Sequence, residues 1–319
     1  MVSNSDRPTN NALATVTRRL MEGLLTAWAA VSLTFFALRV VAGDPVASLL
    51  SQGLASPEQV ESLRRSLGLD APLLIQYLRF LRGFLRGDLG VSLYTSRPVS
   101  IVIAEQLPAT IVLALTGLSL AIFFGLCLGV TAAWKEQSAA GRLAARVAGL
   151  ATAMPVAFTG VISLLLYRYI LQFFPSISII ASRRLLLPAT VLGFASAGAI
   201  ARVVQAGLVE SMRSPYMLAA RARGIGRGVR LLWHALRPAL PPATSLSALE
   251  AAYLFAGTVV TETVFSRPGL GRLLVNSILQ GDYPIAQGVV ALAALFYTAS
   301  HIIADILAFL IDPRLRRTS

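Results

Sequence analysis

Residues 212–242 read MRSPYMLAARARGIGRGVRLLWHALRPALPP, with six arginines and no acidic residue, between two long apolar segments. Ser214 followed by Pro215 is typical of a helix start, because the serine oxygen can accept a backbone N–H and proline has none to lose. Gly224 suits the left-handed position that ends a helix. A second short helix is expected from about residue 229 to 236, where Pro238 would stop it. The stretch therefore predicts a short, basic helix–turn–helix tied to apolar segments at both ends.

The composition identifies the class of protein. Of 319 residues, 55% are apolar and 13% are charged, and the mean hydropathy is +0.69. A soluble domain usually carries about 25% charged residues. Several apolar runs also reach the roughly 20 residues that cross the hydrocarbon core as a helix. The chain is therefore predicted to be an all-α polytopic membrane protein.

The apolar runs predict six transmembrane helices, and Met154-Pro155 predicts a kink within the third. The first is expected to be retained, because no small-residue cleavage site follows a short apolar core. The helices are expected at about residues 20–42, 103–133, 147–174, 185–211, 243–264 and 285–311.

The longest polar block, residues 44–100, predicts two short helices. Ser56 with Gln59 has the spacing of a capping box, and Gly68 is expected at the end of that helix. From Leu73, apolar residues about a turn apart are flanked by arginines, which fits an amphipathic helix at the membrane interface. A solvated helix packed on its neighbour fits equally well.

The distribution of basic residues predicts the orientation. Six spans put both termini on one side, which carries 15 basic residues against 10 on the other. Residues 44–100 hold six of those 10, and charges in a long loop weigh less in setting orientation. Residues 1–19 and loop 212–242 are therefore expected in the cytoplasm, with 44–100 outside and 20–319 forming a single transmembrane domain.

No catalytic or metal-binding motif is apparent. The only lysine, Lys135, lies in no phosphate-binding G-x-x-x-x-G-K-[ST] sequence, and the glycines of 224–228 follow no predicted strand. His234 and His301 lack ligand-spaced partners, and Cys127 is the only cysteine. The chain is thus expected to be no enzyme by itself and to hold no cofactor.

Charged residues within the predicted spans are candidate functional residues, because a charge in lipid is costly. Glu250 and Asp305 lie deep, where a polar cavity or subunit seam and a buried structural hydrogen bond are equally consistent. Glu262 and Arg168 lie near span ends, which favours pairing with another span or an interfacial position. Arg202 lies within the fourth span.

Residues 216–239 resemble the cytoplasmic coupling motif, or EAA loop, of ABC importer permeases. The version in the dipeptide, oligopeptide and nickel (type I) permeases is the most similar, and further segments of the chain fit the same family in order. These are Gly43-Asp44-Pro45, Gly87-Asp88-Leu-Gly90, Leu107-Pro108-Ala-Thr110, Glu262-Thr-Val-Phe265, Pro268-Gly-Leu-Gly271, Asp282-Tyr283-Pro284, and Asp305 with Asp312-Pro-Arg314.

The resemblance implies a six-helix permease subunit that pairs with a second, similar permease in the bacterial or archaeal cytoplasmic membrane. Two ATP-binding subunits, which would hold ATP and Mg²⁺, would drive it, and an external solute-binding protein would deliver peptides. In that family the first helix of the loop docks in a groove on the ATPase. The residues implied for coupling are Tyr216, Ala219, Ala220, Arg221, Ala222, Arg223, Gly224, His234 and Arg237. The candidates for the pathway or subunit interface come from the charged residues within the predicted spans, and they are Glu250, Glu262, Asp305 and Arg202.

Three departures from the family pattern bear on the assignment of the solute. Arg267 stands where a tryptophan is common, Glu250 stands where a small residue is usual, and the 175–184 link is short. Nickel or a metal–chelator complex is the nearest alternative solute. An ion-coupled secondary transporter, with Glu250 and Asp305 as a relay, is the alternative from another class, although no inverted repeat is visible in the sequence.

Overall fold

Helices make up nearly all of the regular structure in the described part of the chain. A computed structural model describes residues 8–41, 46, 56–66, 68–173 and 185–311; for some of these, including Asp305, only the backbone is described. The predicted features at Gly43-Asp44-Pro45, in the 175–184 link and from Asp312 onward lie outside the described residues. The elements are α1 Pro8–Val41, α2 Pro57–Ser66, α3 Leu73–Leu85, α4 Val99–Trp134, α5 Ala139–Ala153, α6 Val156–Phe173, α7 Leu186–Arg213, α8 Pro215–Ala222, α9 Arg227–Val229, a π-helical turn Arg230–Ala235, α10 Leu236–Val264, α11 Leu270–Gln280 and α12 Tyr283–Ile311.

Five helical stretches are long and apolar enough to cross a membrane, and a bent pair of helices adds a sixth if it counts as one span. The five are Met21–Val40, Val99–Trp134, Leu186–Arg213, Arg227–Val264 and Tyr283–Ala304. The prediction of an all-helical membrane protein is confirmed, with five or six candidate spans.

The third predicted span differs most from the sequence-based expectation. Residues 147–174 were expected to form one kinked helix after a loop at 134–146. Instead α5 begins at Ala139, capped by Ser138, and α5 and α6 meet at an angle of 113°. Pro155 accounts for the break, because proline disfavours helical geometry in the preceding residue, and Met154 is extended (ψ 127°).

The helix that was expected to stop at Pro238 continues to Val264, which corrects the boundary predicted for the fifth span. Pro238 is the third residue of α10, in the first turn after the π-helical turn, where the Leu236 amide donates to the carbonyl oxygen of Leu231 five residues back. Because this wider turn already interrupts the four-residue hydrogen-bond register, a proline there costs little. Pro241 and Pro242 also lie inside α10, where Ala239 and Ala243 pack into the core.

Contacts divide the chain into two compact units, residues 1–20, 111–267 and 299–319 in the first and 21–110 with 268–298 in the second. In the first unit, α4 buries a stripe of residues spaced four apart, Leu113, Gly117, Ala121, Gly125, Gly129 and Ala133. A Cβ atom added at Gly193 of α7 would lie 2.4 Å from the Gly117 carbonyl oxygen. Small residues at this spacing let membrane helices approach backbone to backbone, and α4 packs on α7 in this way.

In the second unit, α3 packs on α1 through aromatic side chains. Tyr77 is buried, and its hydroxyl lies 2.7 Å from that of Ser32, while Phe80 stacks on Phe35. Leu78 and Leu85 on α3 stay exposed. The predicted amphipathic helix is therefore present and packs on a neighbouring helix. The capping box is also confirmed: the Ser56 amide donates to Gln59 Oε1 at 2.8 Å, and the Gln59 amide donates to Ser56 Oγ at 3.3 Å.

Two buried polar contacts hold the connecting segments of this second unit together. The Ser92 hydroxyl donates to the Asp282 carboxylate, and the Leu270 amide donates to Thr110 Oγ1 at 2.8 Å. Ser92, Thr110 and Asp282 are all buried. Three of the segments on which the family resemblance rests, at Thr110, Leu270 and Asp282, thus have structural roles in the chain itself.

Candidate coupling surface

Helix α8 begins at the predicted residue but with a different hydrogen bond. Pro215 is its first residue, and Ser214 before it is extended (φ −71°, ψ 153°). The Ser214 hydroxyl does not cap α8; it donates to the carbonyl oxygen of Ser211 at 2.5 Å. The predicted side-chain cap is therefore wrong, and the serine instead bonds back to the last turn of α7.

The end of α8 forms as the sequence predicts. Gly224 is left-handed (φ 76°). Its amide donates to the Arg221 carbonyl oxygen at 3.0 Å, and the Ile225 amide donates to that of Ala220 at 3.2 Å. This pair of bonds is the Schellman arrangement, which satisfies the last carbonyl groups of a helix. The chain reverses sharply here toward α9.

One face of α8 is anchored in the first unit. Met217 is 1% exposed and Ala220 is 7% exposed, and both belong to a buried cluster with Leu208, Leu231 and Ala235. Met217 and Ala220 are three residues apart, so they lie on the same side of the helix. The cluster contains residues of α7, α8 and the π-helical turn, so α8 packs directly on the parts of the chain that end one candidate span and begin another.

The rest of the surface of α8 is exposed and basic. Leu218 is 69% exposed, Tyr216 is about half exposed, and Arg221 and Arg223 are exposed with them. Two small residues, Ala219 and Ala222, are also exposed. Small side chains permit close approach of another surface, and arginine with tyrosine is typical of protein interfaces. Ala220, which the resemblance includes in the coupling set, instead packs inward.

Of the remaining coupling candidates, His234 lies in the π-helical turn and Arg237 lies exposed in the first turn of α10. The Nδ1 atom of His234 is 3.4 Å from the carbonyl oxygen of Val229. Nearby, an Nη atom of Arg227 donates to the Trp134 carbonyl oxygen at 2.8 Å. This bond ties the segment after α8 to the end of α4.

Among the pathway candidates, Glu250 lies in the middle of α10 and is half-buried. Its carboxylate accepts a hydrogen bond from the Ser196 hydroxyl of α7. No arginine among the described residues pairs with it. The carboxylate thus has a hydrogen bond to a neighbouring helix and is also partly exposed. Both alternatives from the sequence, a structural hydrogen bond and a position at a polar cavity or subunit seam, are consistent with this arrangement.

Glu262 and Arg267 interact at the end of α10. Glu262 is fully buried, and the Arg267 amide donates to its carbonyl oxygen at 2.8 Å. Burial lowers the pKa of the Arg267 guanidinium, and the nearby Glu262 carboxylate opposes that shift. The arginine that replaces the family's tryptophan therefore lies where it contributes a positive charge near a buried acid.

Neither Arg202 nor Arg168 has a described contact with Glu250 or Glu262. Arg202 is exposed on α7, and Arg168 lies on α6. Asp305 lies in α12, but its side chain is outside the described residues. Within the described residues, no group of three or more histidines, cysteines, aspartates or glutamates is placed to hold a metal ion.

Sequence reasoning missed the residues that hold the coupling segment in place. Met217 and Leu231 are not among the residues predicted for coupling, yet both are 1% exposed in the core cluster. Their helical spacing from Ala220 and Ala235 was the available signal. The π-helical turn had no comparable signal, since the same residues fit an α-helix.

Comparison with known proteins identifies the family of the chain. Residues 125–317 match the family described as binding-protein-dependent transport system inner membrane component, and residues 12–114 match the N-terminal region of such membrane components. A Brucella abortus (strain 2308) protein with the provisional name of a peptide transport system permease is 34% identical, over 95% of this chain and 99% of its own length. The glutathione transport system permease protein GsiC of Escherichia coli (strain K12) is 32% identical, over 94% and 98%. The chain thus belongs to the family of binding-protein-dependent transport system inner membrane components.

Proposed function

We propose that this chain is the permease subunit of an ATP-driven importer that moves peptides from an external binding protein into the cytoplasm. The observation that carries the proposal is helix α8, whose Met217 side is anchored in the core and whose Tyr216 and Arg223 side is exposed. The names of the similar Brucella and Escherichia proteins support peptides or glutathione as the class of solute.

The complex would contain a second, homologous permease and two ATP-binding subunits, which would bind ATP and Mg²⁺. In this arrangement the chain spans the cytoplasmic membrane six times, with α5 and α6 together as one bent span and both termini in the cytoplasm. The excess of basic residues on the side of α8 supports this orientation. The chain itself would supply the pathway, and ATP hydrolysis would occur in the partner subunits.

Coupling would work through the anchored side of α8. When the two ATPases close, they would displace the exposed face that contains Arg221 and Arg223. Met217 would pass this movement to the ends of α7 and α10 through the buried cluster. Rigid helices that move as packed units are a common way to turn a local displacement into a change of access.

Reversal of charge at Arg223 tests the docking role. Arg223→Glu should lower uptake at least about tenfold while ATP hydrolysis by the assembled complex continues. A reversed charge at an interface opposes the electrostatic match between the two partners and so blocks productive docking. Arg146→Glu, at an exposed arginine of α5, is the matched control and should keep normal uptake. Uptake and ATPase activity are measured in proteoliposomes, with membrane levels checked. Normal uptake by the Arg223 variant would refute the docking role.

A further inference from the structure

The first unit contains an open concavity of about 760 Å³ beside α8. It lies among the end of α7, helix α8 and the segment that begins at Arg227. The residues around it are Met212, Arg213, Ser214, Pro215, Met217, Leu218, Arg221, Arg227 and Arg230. Four of the nine are arginines and none is acidic, so the concavity concentrates positive charge.

Most of this positive charge has no partner. The guanidinium groups of Arg213, Arg221 and Arg230 make no hydrogen bond or ion pair among the described residues. The Nε atom of Arg230 is also buried without an acceptor, although a buried donor normally has one. Only Arg227 is engaged, through its bond to the Trp134 carbonyl oxygen. The arrangement is therefore suited to an anion that several arginines can share.

The chemistry of the lining favours a phosphate group attached to an apolar molecule. The planar guanidinium forms paired hydrogen bonds with phosphate oxygens. Met212, Met217 and Leu218 add apolar surface to the same concavity. The site also lies at the end of one apolar spanning helix, Leu186–Arg213, and at the start of another, Arg227–Val264. About 20 residues of helix cross the hydrocarbon core, so these longer helices extend beyond it.

We propose that Arg213, Arg227 and Arg230 bind the phosphate headgroup of an anionic phospholipid. Arg221 lines this site and also belongs to the exposed part of α8 that is proposed to meet the ATPases. Placement in the inner leaflet rests on the proposed topology, and anionic lipid there attracts basic segments next to the membrane. A bound headgroup would connect the end of α7 to the π-helical turn and so hold the base of α8 in place.

The test measures lipid binding to the assembled transporter, separately from transport. The purified complex in detergent is titrated with phosphatidylglycerol or with phosphatidylcholine, and bound lipids are counted by native mass spectrometry. Arg230→Gln removes one guanidinium from the concavity. Arg230→Lys keeps the charge but loses the paired geometry, and Arg146→Gln removes an exposed arginine elsewhere in the same unit. Inorganic phosphate is added as a competitor. The mass of the intact complex verifies that each variant is assembled.

Wild type should retain phosphatidylglycerol in preference to phosphatidylcholine, and Arg230→Gln should weaken that retention about tenfold. The retention of phosphatidylglycerol by Arg230→Lys should lie between that of wild type and that of Arg230→Gln. Arg146→Gln should match wild type. Equal losses in the Arg230 and Arg146 variants would overturn the site, as would equal retention of the two lipids. Binding of inorganic phosphate without selective lipid retention would overturn the lipid assignment and leave a free-phosphate site. Because the assay needs no uptake, its failure is distinguishable from failure of the proposed function.

Discussion

At the scale of the residue, Glu250 is a carboxylate halfway along a candidate spanning helix, with Ser196 as its hydrogen-bond donor. Ionisable groups at such depth generally face a protein interior or a water-filled cavity. Glu250 is only half-buried within the first unit. This favours a position on the pathway or at the interface with the second permease over a purely structural role.

Glu250→Gln should lower solute uptake severalfold while the complex with the ATPases still assembles. Glutamine keeps an acceptor for the Ser196 hydroxyl but removes the charge, so the variant separates the charge from the hydrogen bond. Uptake in proteoliposomes and co-purification of the ATPases are the two measurements. Loss of the assembled complex would indicate that the carboxylate is structural.

Gly224 supports a second prediction at this scale, with a control two residues away. Alanine in the left-handed conformation costs about 1–2 kcal/mol, so Gly224→Ala should weaken the end of α8 although its Cβ would meet no atom within 4 Å. Gly226 is equally open but has φ −59°, so Gly226→Ala should be neutral. Hydrogen exchange at the amides of Arg223–Ile225 should accelerate about tenfold in the first variant only. Similar exchange in both variants would argue against conformational strain.

At the scale of the element, α8 is held by one side and exposed on the other. Met217 and Leu218 are neighbours in the chain, but one is 1% exposed and the other 69%. Substitution by alanine at each of these two positions therefore separates the contribution of the buried side of α8 from that of its exposed side.

Met217→Ala should loosen α8, because removal of a buried methionine side chain usually costs about 2–5 kcal/mol. Trypsin should then cleave faster at Arg221 and Arg223, while Leu218→Ala should keep the wild-type cleavage rate. Limited proteolysis of the purified permease, followed by peptide mapping, gives the comparison. Equal protection in the two variants would show that Met217 does not anchor the helix.

The elements also show how far the sequence could predict the structure. The capping box at Ser56 and the left-handed Gly224 follow from local chemistry and formed as expected. The apolar runs also formed helices, and five of these are long and apolar enough to cross a membrane. The break at Pro155 and the continuation of α10 through Pro238 depend on how neighbouring turns accommodate a proline, which the local sequence does not specify. The sequence does not show that Arg267 contributes a positive charge near the buried Glu262, because that depends on how the chain folds at the end of α10.

At the scale of the whole molecule, the chain combines apolar spans with a basic segment, and its sequence contains no phosphate-binding G-x-x-x-x-G-K-[ST] motif. The segment's inner side packs on the ends of α7 and α10. Family membership and this packing together support a permease that is driven from outside its own chain. Under the proposed function, the exposed residues of α8 receive the drive from the ATPases, and the choice of solute is expected to depend on residues such as Glu250 and on the external binding protein.

The most direct test of this account is uptake by the reconstituted complex under two separate conditions. The permease, its partner permease, the ATPases and the binding protein are placed in liposomes, and uptake of a labelled peptide is followed. The account predicts uptake that requires ATP inside the compartment that holds the ATPases and persists when ionophores collapse the ion gradients. Uptake that continues without ATP but stops when the gradients collapse would contradict it.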